Sequence, residues 1–203
     1  MPRKFGDIAF TPEVKAAQAE RGSRQTYEHY IAHGPANDTI TPKIAELIGK
    51  LEGFYLGTVG SNGYPYIQFR GGPAGFLKVL DETTLGFADF SGNVQYITVG
   101  NLSANDKAFL FLMDYRHRRR IKVWGRAEVI EGESEWTERL RVPDYPAAIE
   151  RAVLFHVEAT SENCPQHIPV RYSETEVEEM LAPLHDRIAQ LEQQLLQLQG
   201  DRP

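Results

Sequence analysis

Gly53-Phe54-Tyr55-Leu56-Gly57-Thr58-Val59-Gly60-Ser61-Asn62-Gly63-Tyr64-Pro65-Tyr66-Ile67-Gln68-Phe69-Arg70-Gly71-Gly72 opens the stretch, Gly53 to Ile130, that decides how this chain folds. Two β-rich runs flank Asn62-Gly63, and Asn-Gly between such runs is a strong hairpin signal. Phe76 to Leu80 and Thr84 to Ala88 make a second pair across Asp81-Glu82. Ala108 to Met113 and Arg119 to Ile130 make a third, and Ala152 to Ala159 adds a later strand. Seven short strands with few crossover helices predict a mainly β, antiparallel barrel rather than a doubly wound sheet. Tyr96 to Leu102 reads as a short helix bridging two strands.

Outward from this core, the flanks read as helical. Thr11-Pro12-Glu13 and Thr41-Pro42-Lys43 each pair an N-cap with proline at the first helical position. Ile44, Leu47, Ile48 and Leu51 then fall at helical spacing and predict a buried face. Gly34 to Asp38 reads as a loop. After the barrel, Ser173-Glu174-Thr175-Glu176 fits a capping box. Val177, Leu181, Leu184, Ile188, Leu191, Leu195 and Leu198 follow at alternating spacings of four and three. Such a narrow heptad seam predicts a coiled coil, with a helix docked on its own barrel as the alternative. Pro183 inside it predicts a kink, or a helix start nearer Ala182. The expected organisation is a helical region over 1–51, a barrel over 52–172 and a tail helix over 173–203.

Composition narrows the chemistry. Of 203 residues, 41% are hydrophobic and 25% charged, the balance of a soluble globular protein. A net charge of −6 gives no general attraction to nucleic acid or an anionic membrane, so any anion site must be a local basic patch. The lone Cys164 rules out an intrachain disulfide and a thiolate zinc cage. Met1 to Asp7 lacks the apolar run of a signal peptide, and no stretch approaches a membrane span; a cytoplasmic location is expected.

The candidate site residues come from three places. Along the strand from Arg118 to Glu128, Ile121, Val123, Gly125, Ala127 and Val129 share one face. Arg120, Lys122, Trp124 and Arg126 share the other, where cations meet a phosphate and an indole covers a ring, or where charge is simply solvated. Arg70-Gly71-Gly72 ends a strand with a cation and close backbone access. Ser91-Gly92-Asn93 opens the bridging helix, whose free N–H groups favour a phosphate. Neither a phosphate-binding P-loop nor a dinucleotide Gly-x-Gly-x-x-Gly is present. The six histidines form no metal pair, so no metal site is expected. Cys164 with His167 three residues on is a poor nucleophile pair in a proline-bearing loop, and no Gly-x-Ser-x-Gly occurs.

Taken in order, Tyr64 to Gly72, Gly75 to Asp81, Leu85 to Asn93, Gln95-Tyr96-Ile97, Gly100-Asn101-Leu102 and Arg120 to Ala127 resemble the pyridoxamine 5'-phosphate oxidase-related FMN-binding split barrels. The likeness extends from Phe10-Thr11-Pro12 through Cys164-Pro165-Gln166-His167-Ile168-Pro169. It implies a homodimer with FMN in a cleft at the interface. Gln68 and Arg70 would hold the phosphate from the strand, and Ser91, Asn93 and Gln95 from the loop, with Phe69, Gly71, Asp89 and Gly92 among the residues around the cofactor. Arg120, with Lys122 beside it, would reach the flavin from the second subunit, and Gln166 and His167 would border the ring. The authentic oxidase has an arginine at the position of Gln68 and a basic pair where Val94 and Gln95 stand. Its C-terminal Arg-x-His element has no counterpart, since Leu184-His185-Asp186-Arg187 lies within the heptads. The resemblance therefore implies a flavin oxidoreductase with a small-molecule substrate, or an electron donor such as NADH or NADPH, rather than vitamin B6 oxidation. Catalytic residues are unassigned. A deazaflavin- or haem-binding split barrel and a non-enzymatic interaction module are the alternatives.

Overall fold

Residues 4–162 and 165–200 are described in a computed structural model. All seven expected strands are present: β1 (Gly53–Val59), β2 (Pro65–Gly71), β3 (Lys78–Asp81), β4 (Thr84–Phe90), β5 (Lys107–Asp114), β6 (Arg119–Glu131) and β7 (Ile149–Glu162). They form one sheet in the order β2-β1-β5-β6-β7-β4-β3, antiparallel at every pairing. The sheet curls on itself without pairing its edge strands. Phe54 of β1 meets Phe87 of β4 edge to face at 5.2 Å, although three strands separate them along the ladder. Phe54 also stacks on Phe76 at 5.6 Å, and with Leu56, Leu85, Leu110, Leu112, Ile121, Val123 and Phe155 they fill one core. This is a split barrel.

Strand alternation sets its two faces. The pattern of β6 buries Ile121, Val123, Gly125 and Ala127 and leaves Arg120, Lys122, Trp124 and Arg126 outside. The β1–β2 hairpin turns at Gly63, which takes φ 83°, with Gly63 N–H donating to the Gly60 carbonyl at 2.8 Å. The β6–β7 register slips between Trp124 and Gly125. A Cβ at Gly125 would run into the His156 carbonyl and the Phe155 ring, so this bulge needs glycine.

Helices fill the connections. Both expected caps form: the Thr11 hydroxyl accepts from Val14 N–H to open α2 (Pro12–Glu20), and Thr41 accepts from Ile44 N–H to open α4 (Pro42–Ile48). Ile44, Leu47, Ile48 and Leu51 are buried as their spacing predicts. Three helices were not apparent in the sequence: α1 (Phe5–Ala9), α3 (Arg24–His33) and α6 (Glu135–Leu140). The bridging helix α5 (Ile97–Ala104) begins at Ile97, not at the Ser91–Asn93 turn. The tail helix α7 (Glu174–Gly200) starts with the expected capping box: Ser173 N–H donates to Glu176 at 2.9 Å and Glu176 N–H to the Ser173 hydroxyl at 3.2 Å. Its start is not displaced to Ala182; the helix runs through Pro183. Nor is α7 laid on the barrel. Arg116 pairs with Glu176 at 3.0 Å, but every described side chain from 177 to 197 is exposed. Among the described residues no helix is long and apolar enough to cross a membrane.

Candidate functional site

Register explains which cations share a face. Arg70 lies opposite Phe54, and Gln68 opposite Leu56, so both side chains stand on the core side of β2. On β4, Asp89 lies opposite Arg151 of β7, an inward-facing pair that the alternation of both strands makes possible. The result is a buried ion cluster. Asp89, 4% exposed, accepts from Arg70 on one oxygen and from Arg151 at 3.0 Å on the other. Arg151 also holds Glu131 at 3.0 Å and Glu150 at 2.7 Å, and lies 5.2 Å from the centre of the Tyr96 ring. Burial works against the Arg151 charge, but hydrogen bonds to Glu131 and Asp89 outweigh it and hold its pKa above the ordinary arginine range.

Around this cluster lies a small cleft of about 40 Å³, lined by Gln68, Arg70, Asp89, Gly92, Asn93 and Gln95 together with Phe90, Val94, Tyr96, Thr98, Val99, Glu150 and Arg151. Gln68 is oriented by the Thr98 hydroxyl, which donates to its carbonyl oxygen at 2.9 Å. Asn93 accepts from Gln95 N–H at 3.3 Å. Val94 and Tyr96 take φ of 52° and 51°, left-handed values that are costly for side chains of their size. Tyr96 caps α5 with no side-chain hydrogen bond, leaving the first N–H groups of that helix open. One buried polar atom here has no partner, Arg70 Nε.

The other predicted residues lie elsewhere. Phe69 faces outward, its ring over Gly53 and 5.4 Å from that of Tyr55. Gly71 and Ser91 are exposed and do not line the cleft. Arg120 and Lys122 stand on the outer face of β6, opposite Met113 and Phe111, and cannot meet Arg70 within one chain. Arg120 Nε is buried without a partner, and neither cation has a carboxylate among the described residues. Desolvation and the neighbouring Arg120 charge lower the Lys122 pKa. Trp124 is already engaged, stacked on Phe5 at 6.1 Å and edge-on to Phe109 at 5.1 Å. Arg126 is tied to Asp106 at 2.7 Å and Glu158 at 3.2 Å. Gln166 and His167 are exposed and apart from the cleft, and Cys164 lies outside the described residues.

A larger cleft of about 570 Å³ flanks the other side of α5, against Leu102, Arg126, Ala127 and His156. It contains none of the predicted cofactor residues. Its arginine, Arg126, is the one already paired with Asp106 and Glu158. Among the described residues no cluster of His, Cys, Asp and Glu has the makings of a metal site.

Arg151 and Tyr96 are the site residues that sequence reasoning missed. Nothing local marks Arg151, because its role follows from the β4–β7 pairing. The Phe90-Ser91-Gly92-Asn93 turn before α5 was the one available pointer to Tyr96.

The profile of the pyridoxamine 5'-phosphate oxidase family matches residues 40–163, and the chain belongs to that family. No curated protein matches the sequence. Among solved structures, a putative pyridoxamine 5'-phosphate oxidase from Lactobacillus delbrueckii is 22% identical, with a TM-score of 0.48, covering 61% of this chain and 94% of its own. An FMN-binding protein from Syntrophomonas wolfei is 14% identical, with a TM-score of 0.47, over 72% and 97%. An F420 reductase is 18% identical, with a TM-score of 0.40, over 58% and 94%.

Proposed function

We propose that this chain binds FMN as a homodimer and works as an oxidoreductase. The observation that carries this reading is the buried, unpartnered Nε of Arg70 beside the uncapped start of α5. An N–H group buried without an acceptor costs about 1–3 kcal/mol, and an anion at this point would recover it. Asn93, Gln95 and the first N–H groups of α5 add neutral donors of the kind that hold phosphate. The residues therefore fit the phosphate end of the cofactor.

A cleft of about 40 Å³ does not enclose a flavin, since sites for ligands of that size occupy roughly 300–1,000 Å³. The remaining walls would come from a second copy. The outer face of β2, β1, β5 and β6 exposes Ile67 at 67% and Phe69 at 58%, beside Tyr55, Phe109 and Phe111. An apolar sheet face next to an open edge strand is suited to pairing with its own kind. It also carries Arg120 and Lys122, which would then approach the cofactor bound by the partner. The tail helix joins the same assembly as a coiled coil.

When bound, the flavin supplies hydride or electron transfer. The chain's own residues then divide the work. Gln68, held by Thr98, and Arg70 fix the phosphate; Asn93 and Gln95 close the loop on it. Arg120 and Lys122 would put two positive charges beside the cofactor held by the partner, and their partial burial would strengthen the stabilisation of negative charge there. No side chain stands out as a general base.

The absorbance spectrum of the purified protein, with an FMN fluorescence-quench titration, tests the reading. A yellow protein, or micromolar or tighter uptake of FMN, is expected. A colourless protein that ignores added FMN overturns it, and a deazaflavin or haem band in its place reassigns the cofactor.

A further inference from the structure

The tail helix α7 leaves the barrel at its first turn. It then presents Val177, Leu181, Leu184, Ile188, Leu191 and Leu195 on one face, each 40–58% exposed. Over 27 residues it is about 40 Å long, and a solvated helix with an apolar stripe gains most of its stability only when that stripe is covered. The spacing places Leu181, Ile188 and Leu195 at heptad position a, and Val177, Leu184 and Leu191 at d. The central layers, Ile188 at a between Leu184 and Leu191 at d, have the composition that favours two strands.

The flanking charges choose the partner and its direction. Arg187 falls at g and Glu192 at the following e; neither has an ion-pair partner among the described residues. In a parallel, in-register pair, g of one helix faces the next e of the other, so Arg187 meets Glu192 twice by symmetry. In the antiparallel register that aligns the whole seam, Leu191 faces Leu181. Arg187 then faces its own copy and Glu178 faces Glu192, so every flanking charge meets its like. Pro183 agrees with the seam assignment. It falls at c, and the carbonyl it leaves without a donor, that of Glu179, falls at f, so both face solvent in such a pair.

We infer that α7 forms a parallel, in-register two-stranded coiled coil with a second copy of this chain. Its symmetry axis runs along the helices. The inference rests on the homodimer reading only in that barrel and coil then share one two-fold axis, so the assembly closes at two subunits.

Cross-linking tests it in a Cys164→Ser background. A single Leu191→Cys substitution should give a disulfide-linked dimer on oxidation, because d faces d across a parallel pair within disulfide reach. Failure of Leu191→Cys to cross-link, with disulfides forming only between Leu181→Cys chains and Leu191→Cys chains, overturns it in favour of the antiparallel pair. No disulfide in either experiment overturns pairing altogether. As a second measurement, Arg187→Glu should weaken helix association about tenfold, and adding Glu192→Arg should restore it. An Arg187→Glu effect that Glu192→Arg does not reverse counts against the register. These readouts are independent of flavin: a colourless protein that cross-links at 191 loses the cofactor reading and keeps the coil.

Discussion

Two groups of cations in this chain live under opposite conditions. In the cleft, Arg70 and Arg151 are matched against Asp89, Glu131 and Glu150, two positive charges against three negative. On the outer face of β6, Arg120 and Lys122 sit side by side without a carboxylate, half-buried among Met113, Phe111 and Trp124. The first group ties β2, β4 and β7 together, and the Nε of Arg70 within it is left without a partner. The second meets no carboxylate among the described residues: Lys122 lies 5.9 Å from the Trp124 ring centre, and repulsion between the two cations is a cost. The difference separates cations matched by carboxylates within the fold from cations that are not.

Substitutions break the comparison most directly. Arg151→Met should destabilise the protein by about 3–5 kcal/mol, read from the urea midpoint, because Asp89 is left buried with half its pairing. Lys122→Met should leave that midpoint within about 0.5 kcal/mol of the parent or raise it. Equal losses from the two variants would erase the distinction.

Subunit mixing tests whether the two groups serve one ligand. Arg70→Ala and Lys122→Met chains should each bind FMN at least tenfold more weakly when alone. If each site draws on both copies, a mixed dimer carries one intact site and recovers up to half the sites at parental affinity. No recovery on mixing would place both lesions in the same chain's site. A smaller effect should follow from Asp89→Asn, which costs about 1–3 kcal/mol of stability yet releases Arg70 and Arg151. Phosphate or FMN should then bind several-fold more tightly, and weaker binding would mean that Asp89 positions the arginines rather than competing for them.

The smallest effect concerns pH. The Lys122 pKa in the fold lies below its ordinary value of 10.5, so between the two values the unfolded chain binds more protons. Stability should therefore rise as pH climbs toward 10.5, by an increment that Lys122→Met abolishes. Bound FMN facing this amine should flatten the same slope.

Much of the fold was legible. The Asn62-Gly63 hairpin, the Thr11 and Thr41 caps and the alternation of β6 are local signals, and each produced the element it announced. Helix α3 escaped because its apolar set is short: Tyr27, Tyr30 and Ile31 share one face, the two tyrosines pack on Phe10 and Phe5 rather than into the core, and none of the three is buried. Helix α6 had a usable signal in Ser134 and Thr137, which cap each other, but is only six residues long. The cleft was half legible. Gln68, Arg70, Asp89, Gly92, Asn93 and Gln95, drawn from a strand and a loop of the sequence, line one cleft. Arg151 did not show because its link to Asp89 spans 62 residues and exists only through strand pairing. Opposite faces hid the separation of Arg70 from Arg120, since a strand's parity is readable but the curl of a sheet is not.

The bulge at Gly125 has a consequence for how such a protein could diversify. Strand β6 carries Arg120 and Lys122 near its start and Glu131 at its end, while β7 supplies Arg151 near its start; one long ladder thus carries the outer cations and one arginine of the buried cluster. The slip at Gly125 divides that ladder into two lengths, each with its own unbroken register. A change of twist at this joint would rotate one charge group against the other while leaving the pairing within each length intact. The alignment of the outer cations with the Arg151–Glu131 pair is thus phased by the absence of a single methyl group.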